Sequence, residues 1–253
     1  FVQEMRDMLA VLQKAYDYPV DVEFTANFLP DGSHRTNLVQ CRPLPVASEG
    51  IITEVPQDIP DADLLFKAHG AVIGQSRVMA VDHMIYVVPR MYGQLPLRER
   101  YAVARLVGEL TCLVVAGGAH SLLLMGPGRW GTTSPELGVP VAFGEINGVS
   151  ALCEIVEMRD DLVPDVSLGT HFFSELVEGD ILYLALFPDR NSNMLNRSLI
   201  EAQPNRLLEL VPTAEKWESM IRVIDITRSK DAVTLNANTL SQDVFCYFDR
   251  ERK

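Results

Sequence analysis

The residues best suited to chemistry lie where a short apolar run passes into a glycine-rich turn. They are Gly126, Gly128, Arg129, Trp130 and Gly131. Glycine lets the backbone approach a ligand closely and aim successive N–H groups at it. Arginine adds a planar, permanent cation suited to phosphate or carboxylate. The same pattern is typical of a strand-to-turn corner in which Arg129 makes a structural ion pair and Trp130 closes the core, and spacing alone leaves both interpretations open.

A second candidate segment precedes two phenylalanines. Ser167 or Thr170 could cap a helix that starts near Leu168, which would leave free backbone N–H groups facing an anion. We assign Gly169 and Thr170 to this anion site. His171 would lie in the first helical turn, where a helix N-terminus favours the neutral imidazole.

Arg129 and His171 would together form an anion or phosphoryl site if the two segments face each other. His171 would then act as acid, base or hydrogen-bond donor. The alternative is that His171 hydrogen-bonds a carbonyl while Phe172 and Phe173 fill the core, which is the commoner role of a lone histidine beside apolar residues.

A third set of polar residues lies in a predicted β-hairpin near the start of the chain. Two alternating apolar runs flank a Pro-Asp-Gly turn at 30–32. The strands bring Glu23, Gln40 and Arg42 within reach of one another. A carboxylate and an amide oxygen near an arginine can hold Mg²⁺ and the phosphates it bridges. The alternative is a salt-bridged surface hairpin.

The elements that position these segments alternate without a regular βα rhythm. Apolar periodicity predicts helices over 1–16, 97–116 and 214–223. Apolar runs predict strands over 71–80, 83–88, 121–125, 137–143, 149–156, 181–187 and 244–248, with the last as a candidate edge strand. We therefore expect a mixed α/β (α+β) fold in which helices pack on a mixed sheet.

Composition limits the classes of partner. The formal net charge of −12 and the pI near 4.8 argue against nucleic acid, and no apolar run is long enough for a membrane span. The cysteines form no CxxC pair and sit in apolar surroundings, which predicts buried free thiols in a cytoplasmic, reducing compartment: Cys41, Cys112, Cys153 and Cys246. The chain opens without a methionine or signal peptide, so we expect part of a longer polypeptide.

The hairpin carries a family resemblance. Its strands, Asp21-Val-Glu-Phe24 and Leu38-Val-Gln-Cys-Arg-Pro-Leu44, resemble the end of the nucleotide-binding domain of phosphoenolpyruvate synthase and pyruvate phosphate dikinase. The resemblance implies the tail of an ATP-grasp-like domain over 1–46, with Glu23 and Gln40 serving Mg²⁺ and ATP, and Arg42 contacting phosphate. The family's upstream lysine, arginine and glycine-rich phosphate loop have no counterpart in this chain.

The rest of the chain resembles a bacterial group, the PEP/pyruvate-binding domain proteins. Three motifs carry the resemblance, in the same order: the segments 126–131, 137–141 and 169–173. The swivelling domain of the better-known enzymes has a phosphorylatable histidine in a G-G-x-x-S-H-A pattern. Around His120 the serine and histidine are reversed, so we expect a turn histidine there. The resemblance implies a mixed α/β domain over 47–253 and supplies no chemistry for it.

These observations favour a C-terminal fragment of an ATP-dependent phosphotransferase-like protein. The expected ligands are Mg²⁺, ATP and a small substrate, with pyruvate or phosphoenolpyruvate as candidates. The expected partner is the missing N-terminal part of the same polypeptide, and the oligomeric state, a homo-oligomer included, stays open. We expect no ATP turnover by the fragment alone. The alternative is a non-catalytic ligand-sensing or assembly module in which the motifs are structural.

Overall fold

A computed structural model describes residues 1–17, 20–43, 59–158 and 163–250. The chain divides into two compact units, 1–47 and 48–253. Among the described residues, no helix combines the length and apolar character needed to cross a membrane.

The first unit consists of one helix and one hairpin. Helix α1 spans Val2–Tyr16, as the apolar periodicity predicted, and it buries none of its residues. Strands β1 (Val20–Phe28) and β2 (His34–Pro43) pair antiparallel in a two-stranded sheet, with an irregularity between Glu23 and Phe24. The predicted hairpin is therefore present.

The second unit is built from two sheets and several helices. Its strands are β3 (Leu64–His69), β4 (Val72–Ile73), β5 (Arg77–Ala80), β6 (His83–Val87), β7 (Leu122–Pro127), β8 (Ala151–Ile155), β9 (Leu182–Leu186), β10 (Met194–Leu195), β11 (Ile221–Asp225), β12 (Ala232–Asn238) and β13 (Asp243–Asp249). Its α-helices are α2 (Pro89–Gly93), α3 (Leu97–Ala116), α4 (Phe143–Ile146), α5 (His171–Glu178), α6 (Arg197–Glu201) and α7 (Leu207–Leu210), and short 3₁₀ helices span Pro212–Trp217 and Ile226–Arg228.

A six-stranded mixed sheet forms the centre, in the order β11-β6-β7-β8-β9-β4. Strands β6 to β9 are parallel and follow chain order, while β11 and β4 pair antiparallel at the edges. Parallel neighbours require crossovers, which α3, α4 and α5 supply. These helices share one apolar core with one face of the sheet.

A five-stranded antiparallel sheet, in the order β10-β3-β13-β12-β5, covers the opposite face. A second apolar core lies between the two sheets. The unit is thus layered as helices, mixed sheet and antiparallel sheet. The expectation of an α+β fold with a mixed sheet and packed helices is confirmed.

Several element predictions were wrong. The predicted strand at 137–143 is absent, because residues 137 and 139 bond individually to the backbone of Arg129 and Gly131 and Phe143 begins α4. The predicted helix at 214–223 is a short 3₁₀ turn followed by β11, in which Ile221 and Val223 alternate with polar neighbours. Strand β13 is interior, between β3 and β12, rather than at an edge. The Cys112 side chain is exposed rather than buried, whereas Cys153 and Cys246 are buried.

Candidate functional site

The glycines at the end of β7 and in the turn that follows it are required by packing. A Cβ at Gly126 would lie 2.9 Å from both the Trp130 ring and the Val87 side chain. Gly131 has a φ of +65°, and a Cβ there would overlap the ring of Phe172. Glycine is the residue that tolerates both the left-handed backbone and the close approach. Trp130 itself is completely buried.

The Glu154 carboxylate, buried near the end of β8, joins the two motif segments. It accepts hydrogen bonds from the Trp130 N–H at 2.8 Å, the Ser167 N–H at 2.8 Å, the Ser167 hydroxyl and the Tyr183 hydroxyl at 2.6 Å. Its side chain is 0% exposed. Because a buried charge needs such partners, Glu154 fixes the glycine turn against the segment that precedes α5.

Burial raises the pKa of Glu154 above its ordinary value, and the hydrogen bonds from Ser167 and Tyr183 offset this only in part. Burial also raises the pKa of Tyr183, so its hydroxyl keeps its proton and donates. Sequence reasoning missed Glu154. The available signal was a single carboxylate in the otherwise apolar run Ala-Leu-Cys-Glu-Ile.

Arg129 occupies a fixed backbone position beside this network. Its N–H donates to the Leu137 carbonyl at 3.0 Å, and its carbonyl accepts from the Val139 N–H at 3.1 Å. The side chain is partly buried. Within the described parts of the chain, no hydrogen bond or ion pair engages its guanidinium. The structural ion pair considered from sequence is therefore not found there, and the planar fork can accept an anion.

His171 is the first residue of α5, in the helical turn that the sequence predicted, and its side chain is exposed. Thr170 caps the helix: its Oγ1 accepts from the Phe173 N–H at 3.2 Å. The helix begins three residues later than expected, after Gly169 at a φ of +80°. Phe172 and Phe173 fill the core.

The structure brings the two motif segments into contact but not the two proposed catalytic side chains. The Trp130 N–H donates to Glu154, and the Trp130 carbonyl lies against the Ser167 hydroxyl, just before the second segment. Gly131 lies against Phe172 within that segment. In the described residues, no hydrogen bond or ion pair joins Arg129 to His171. Their convergence on one ligand stays a prediction.

The hairpin places its four polar residues on one face. Glu23 pairs directly with Gln40, and Asp21 pairs with Arg42, two residues away on each strand and therefore on the same face. The Arg42 guanidinium contacts the Asp21 carboxylate through Nε and Nη2, both at 3.1 Å. Glu23 and Gln40 are exposed. A carboxylate, an amide and a guanidinium therefore face the same side.

A metal ion would be incompletely coordinated at this hairpin. Across the described ranges, no group of three or more His, Cys, Asp and Glu side chains is placed to hold a metal. Glu23 and Gln40 supply two oxygen ligands. This fits Mg²⁺ bound by one or two protein groups together with phosphates and waters.

A further polar cluster follows the carboxyl ends of β6 and β8, where ligands bind in many α/β folds. Glu157 pairs with Arg90 at 3.0 Å and with Arg197. The Tyr86 hydroxyl and the Arg197 Nε are buried, and neither has a hydrogen-bond partner in the part of the chain that the structure describes. Burial is the main cause that raises the pKa of Tyr86, and the negative charge of Glu201 adds to it.

His120 is exposed in the turn before β7.

Scans of protein-family models, of curated proteins and of solved structures gave no match to this chain.

Proposed function

We propose that the chain is the C-terminal part of an ATP-dependent phosphotransferase-like protein of the phosphoenolpyruvate synthase and pyruvate phosphate dikinase group, with an ATP-grasp-like N-terminal domain. The observation that carries the proposal is the hairpin register, which pairs Glu23 with Gln40 and Asp21 with Arg42 on one face. A cytoplasmic location belongs to the proposal and is supported by four free cysteines.

Each hairpin residue has a defined role in this proposal. Glu23 and Gln40 hold Mg²⁺, which neutralises phosphate charge when bound. Arg42 contacts a phosphate oxygen, and Asp21 orients its guanidinium. Residues outside this chain supply the rest of the phosphate-binding apparatus.

In the second unit, the proposal assigns an anion or substrate site to Arg129 and His171, with pyruvate or phosphoenolpyruvate as candidate ligands. Two backbone hydrogen bonds fix Arg129 in position. Gly126, Gly128, Trp130 and Gly131 shape the turn that presents it. Gly169 and Thr170 shape the turn that presents His171 at the start of α5.

The second candidate function is a non-catalytic ligand-sensing or assembly module. The buried Glu154 network and the tight contact between Gly131 and Phe172 favour it. These contacts explain the glycines, Trp130 and the phenylalanines as a packed corner without invoking chemistry.

Calorimetric titration with Mg-ADP tests the nucleotide proposal. We expect Glu23→Gln and Arg42→Ala each to weaken binding at least tenfold. Arg35→Ala is a matched control, because it removes a positive charge from the other end of β2. The Arg35→Ala variant should bind Mg-ADP with the affinity of the wild type. Equal affinities in all variants, or no binding by the wild type, would count against the proposal.

A further inference from the structure

A cavity of about 250 Å³ opens at one end of the space between the two sheets. Its floor is apolar and drawn from separate elements: Leu65, Met84, Ile200, Ile224, Ile226, Val233 and Phe248. All seven side chains are at least nine-tenths buried. The cavity is distinct from both the hairpin and the glycine turn.

Four charged residues form the rim. Arg206 contacts Glu209 at 2.8 Å and also Asp225. Arg228 contacts Asp225 at 3.2 Å and Glu209 at 3.3 Å. The Asp225 side chain is 6% exposed, whereas those of Arg228 and Glu209 are 61% and 56% exposed. The exposed pair therefore lies at the mouth.

Hydrogen-bond donors exceed free acceptors at this rim. The Asp225 oxygens already accept hydrogen bonds from Arg206 and from both donors of Thr227, and they form an ion pair with Arg228. Among the described residues, neither Arg206 Nη2 nor Arg228 Nη2 makes a hydrogen bond. A ligand whose head accepts hydrogen bonds would complement these unused donors.

Charge and size narrow the ligand further. The two arginines and two carboxylates of the rim sum to zero, so the site does not compensate a multiply charged head. Exposed ion pairs such as Arg228–Glu209 contribute little stability, so a carboxylate can displace Glu209 at low cost. An apolar cavity of about 150 Å³ admits benzene, so a 250 Å³ cavity accommodates an apolar body of about eight to ten carbons.

We propose that this cavity binds a small amphipathic monocarboxylate, with its apolar body among Leu65, Val233 and Phe248 and its carboxylate on Arg206 and Arg228. Such a site goes beyond the proposed nucleotide and anion sites and does not depend on either of them.

Titration of the whole chain with octanoate tests the proposal. We expect saturable one-to-one binding, with 1-octanol at least tenfold weaker because it lacks the charged head. Arg228→Met should weaken octanoate binding at least fivefold and leave octanol binding unchanged. Arg98→Met, at an exposed position on α3, is the matched control and should bind as the wild type does.

A second variant tests the floor. Val233→Phe should fill the cavity and abolish binding of both probes, with thermal unfolding used to verify the fold. Absence of saturable octanoate binding, equal affinity for octanoate and octanol, or an unchanged Arg228→Met would overturn the proposal. Because Arg228 is exposed, its variant keeps the test valid even if Val233→Phe does not fold.

Discussion

Ser167 binds both oxygens of the buried Glu154 carboxylate, one through its backbone N–H and the other through its hydroxyl. The same serine hydroxyl lies 2.8 Å from the Trp130 carbonyl. One residue pair therefore anchors the glycine turn, the end of β8 and the approach to α5. The relative position of the two motifs depends on this contact.

Glu154→Gln should destabilise the fold. The amide keeps one acceptor oxygen and turns its NH₂ toward groups that are themselves donors. We expect a loss of about 1–3 kcal/mol in the free energy of unfolding, which is typical of a buried unsatisfied group. Urea unfolding measures it. Glu136→Gln, an exposed control, should stay within about 0.5 kcal/mol of wild type, and a Glu154→Gln of wild-type stability would contradict the role of the network.

The same residue should give stability a characteristic pH dependence. Burial raises the pKa of Glu154 in the folded chain, so the folded state binds more protons than the unfolded state between the ordinary and the raised pKa. Stability from this group therefore falls as pH rises across that interval, by at most about 1.4 kcal/mol per unit. The stability difference between wild type and Glu154→Gln should narrow as pH increases from about 4.5. If the stability difference instead widened as pH rises, the pKa of Glu154 would be lowered in the folded chain rather than raised.

Gly131→Ala should cost more than Gly169→Ala. Both glycines have a left-handed φ, +65° and +80°, but only at Gly131 would the added methyl meet the Phe172 ring. Backbone strain alone costs about 1–2 kcal/mol, and the overlap adds to it at Gly131. Thermal unfolding of the two variants measures the difference. Equal losses would show that the corner relaxes around the methyl group.

Arg129→Lys separates anion binding from structure. Lysine keeps the charge and loses the bidentate fork, so phosphate or phosphoenolpyruvate binding should weaken at least tenfold. No ion pair to Arg129 is found within the described residues, so stability should change by less than about 0.5 kcal/mol. Calorimetry and unfolding on the same preparation give both values. Unchanged ligand affinity would favour the structural interpretation of the motif.

The 253-residue chain should not turn over ATP. For a Mg-nucleotide, its hairpin offers the Glu23 carboxylate, the Gln40 amide and the Arg42 guanidinium, which Asp21 already contacts, without a glycine-rich phosphate loop. A coupled assay for ADP release measures the rate against a no-protein blank. Release above the blank, abolished by Glu23→Gln, would mean that the chain contains a complete catalytic site.

Elements with a long or simple apolar period could be predicted from the sequence. Helix α3 has the predicted bounds, because its apolar residues recur at helical spacing up to the glycines at 117–118. Strand β12 was missed because Asn236 and Asn238 interrupt its apolar pattern. The predicted helix at 214–223 failed because a proline at 212 begins a tight turn, and alternation from Ile221 onward then favours a strand.

The candidate sites were predictable to different degrees. The proximity of Glu23, Gln40 and Arg42 was predictable, because two alternating runs around one turn give a hairpin. The direct pairing of Glu23 with Gln40 was not predictable, because it depends on the register shift between Glu23 and Phe24. The Glu154 network could not be predicted from the sequence, because its hydrogen-bond donors are Trp130, Ser167 and Tyr183, which only the tertiary fold brings together. The cavity between the sheets is a still stronger case, since side chains from many elements line it. No local period in the sequence records such a set.

The two-stranded sheet of the first unit has a consequence for how this protein meets other chains. Among the described residues, each strand of that sheet is paired on one side only. Its apolar side chains Phe24, Phe28, Leu38 and Val39 are all exposed. Apolar surface beside the margin of a sheet favours the addition of a further strand by β-augmentation where the backbone groups of that margin are open. A strand added at this margin would also shield these side chains from water.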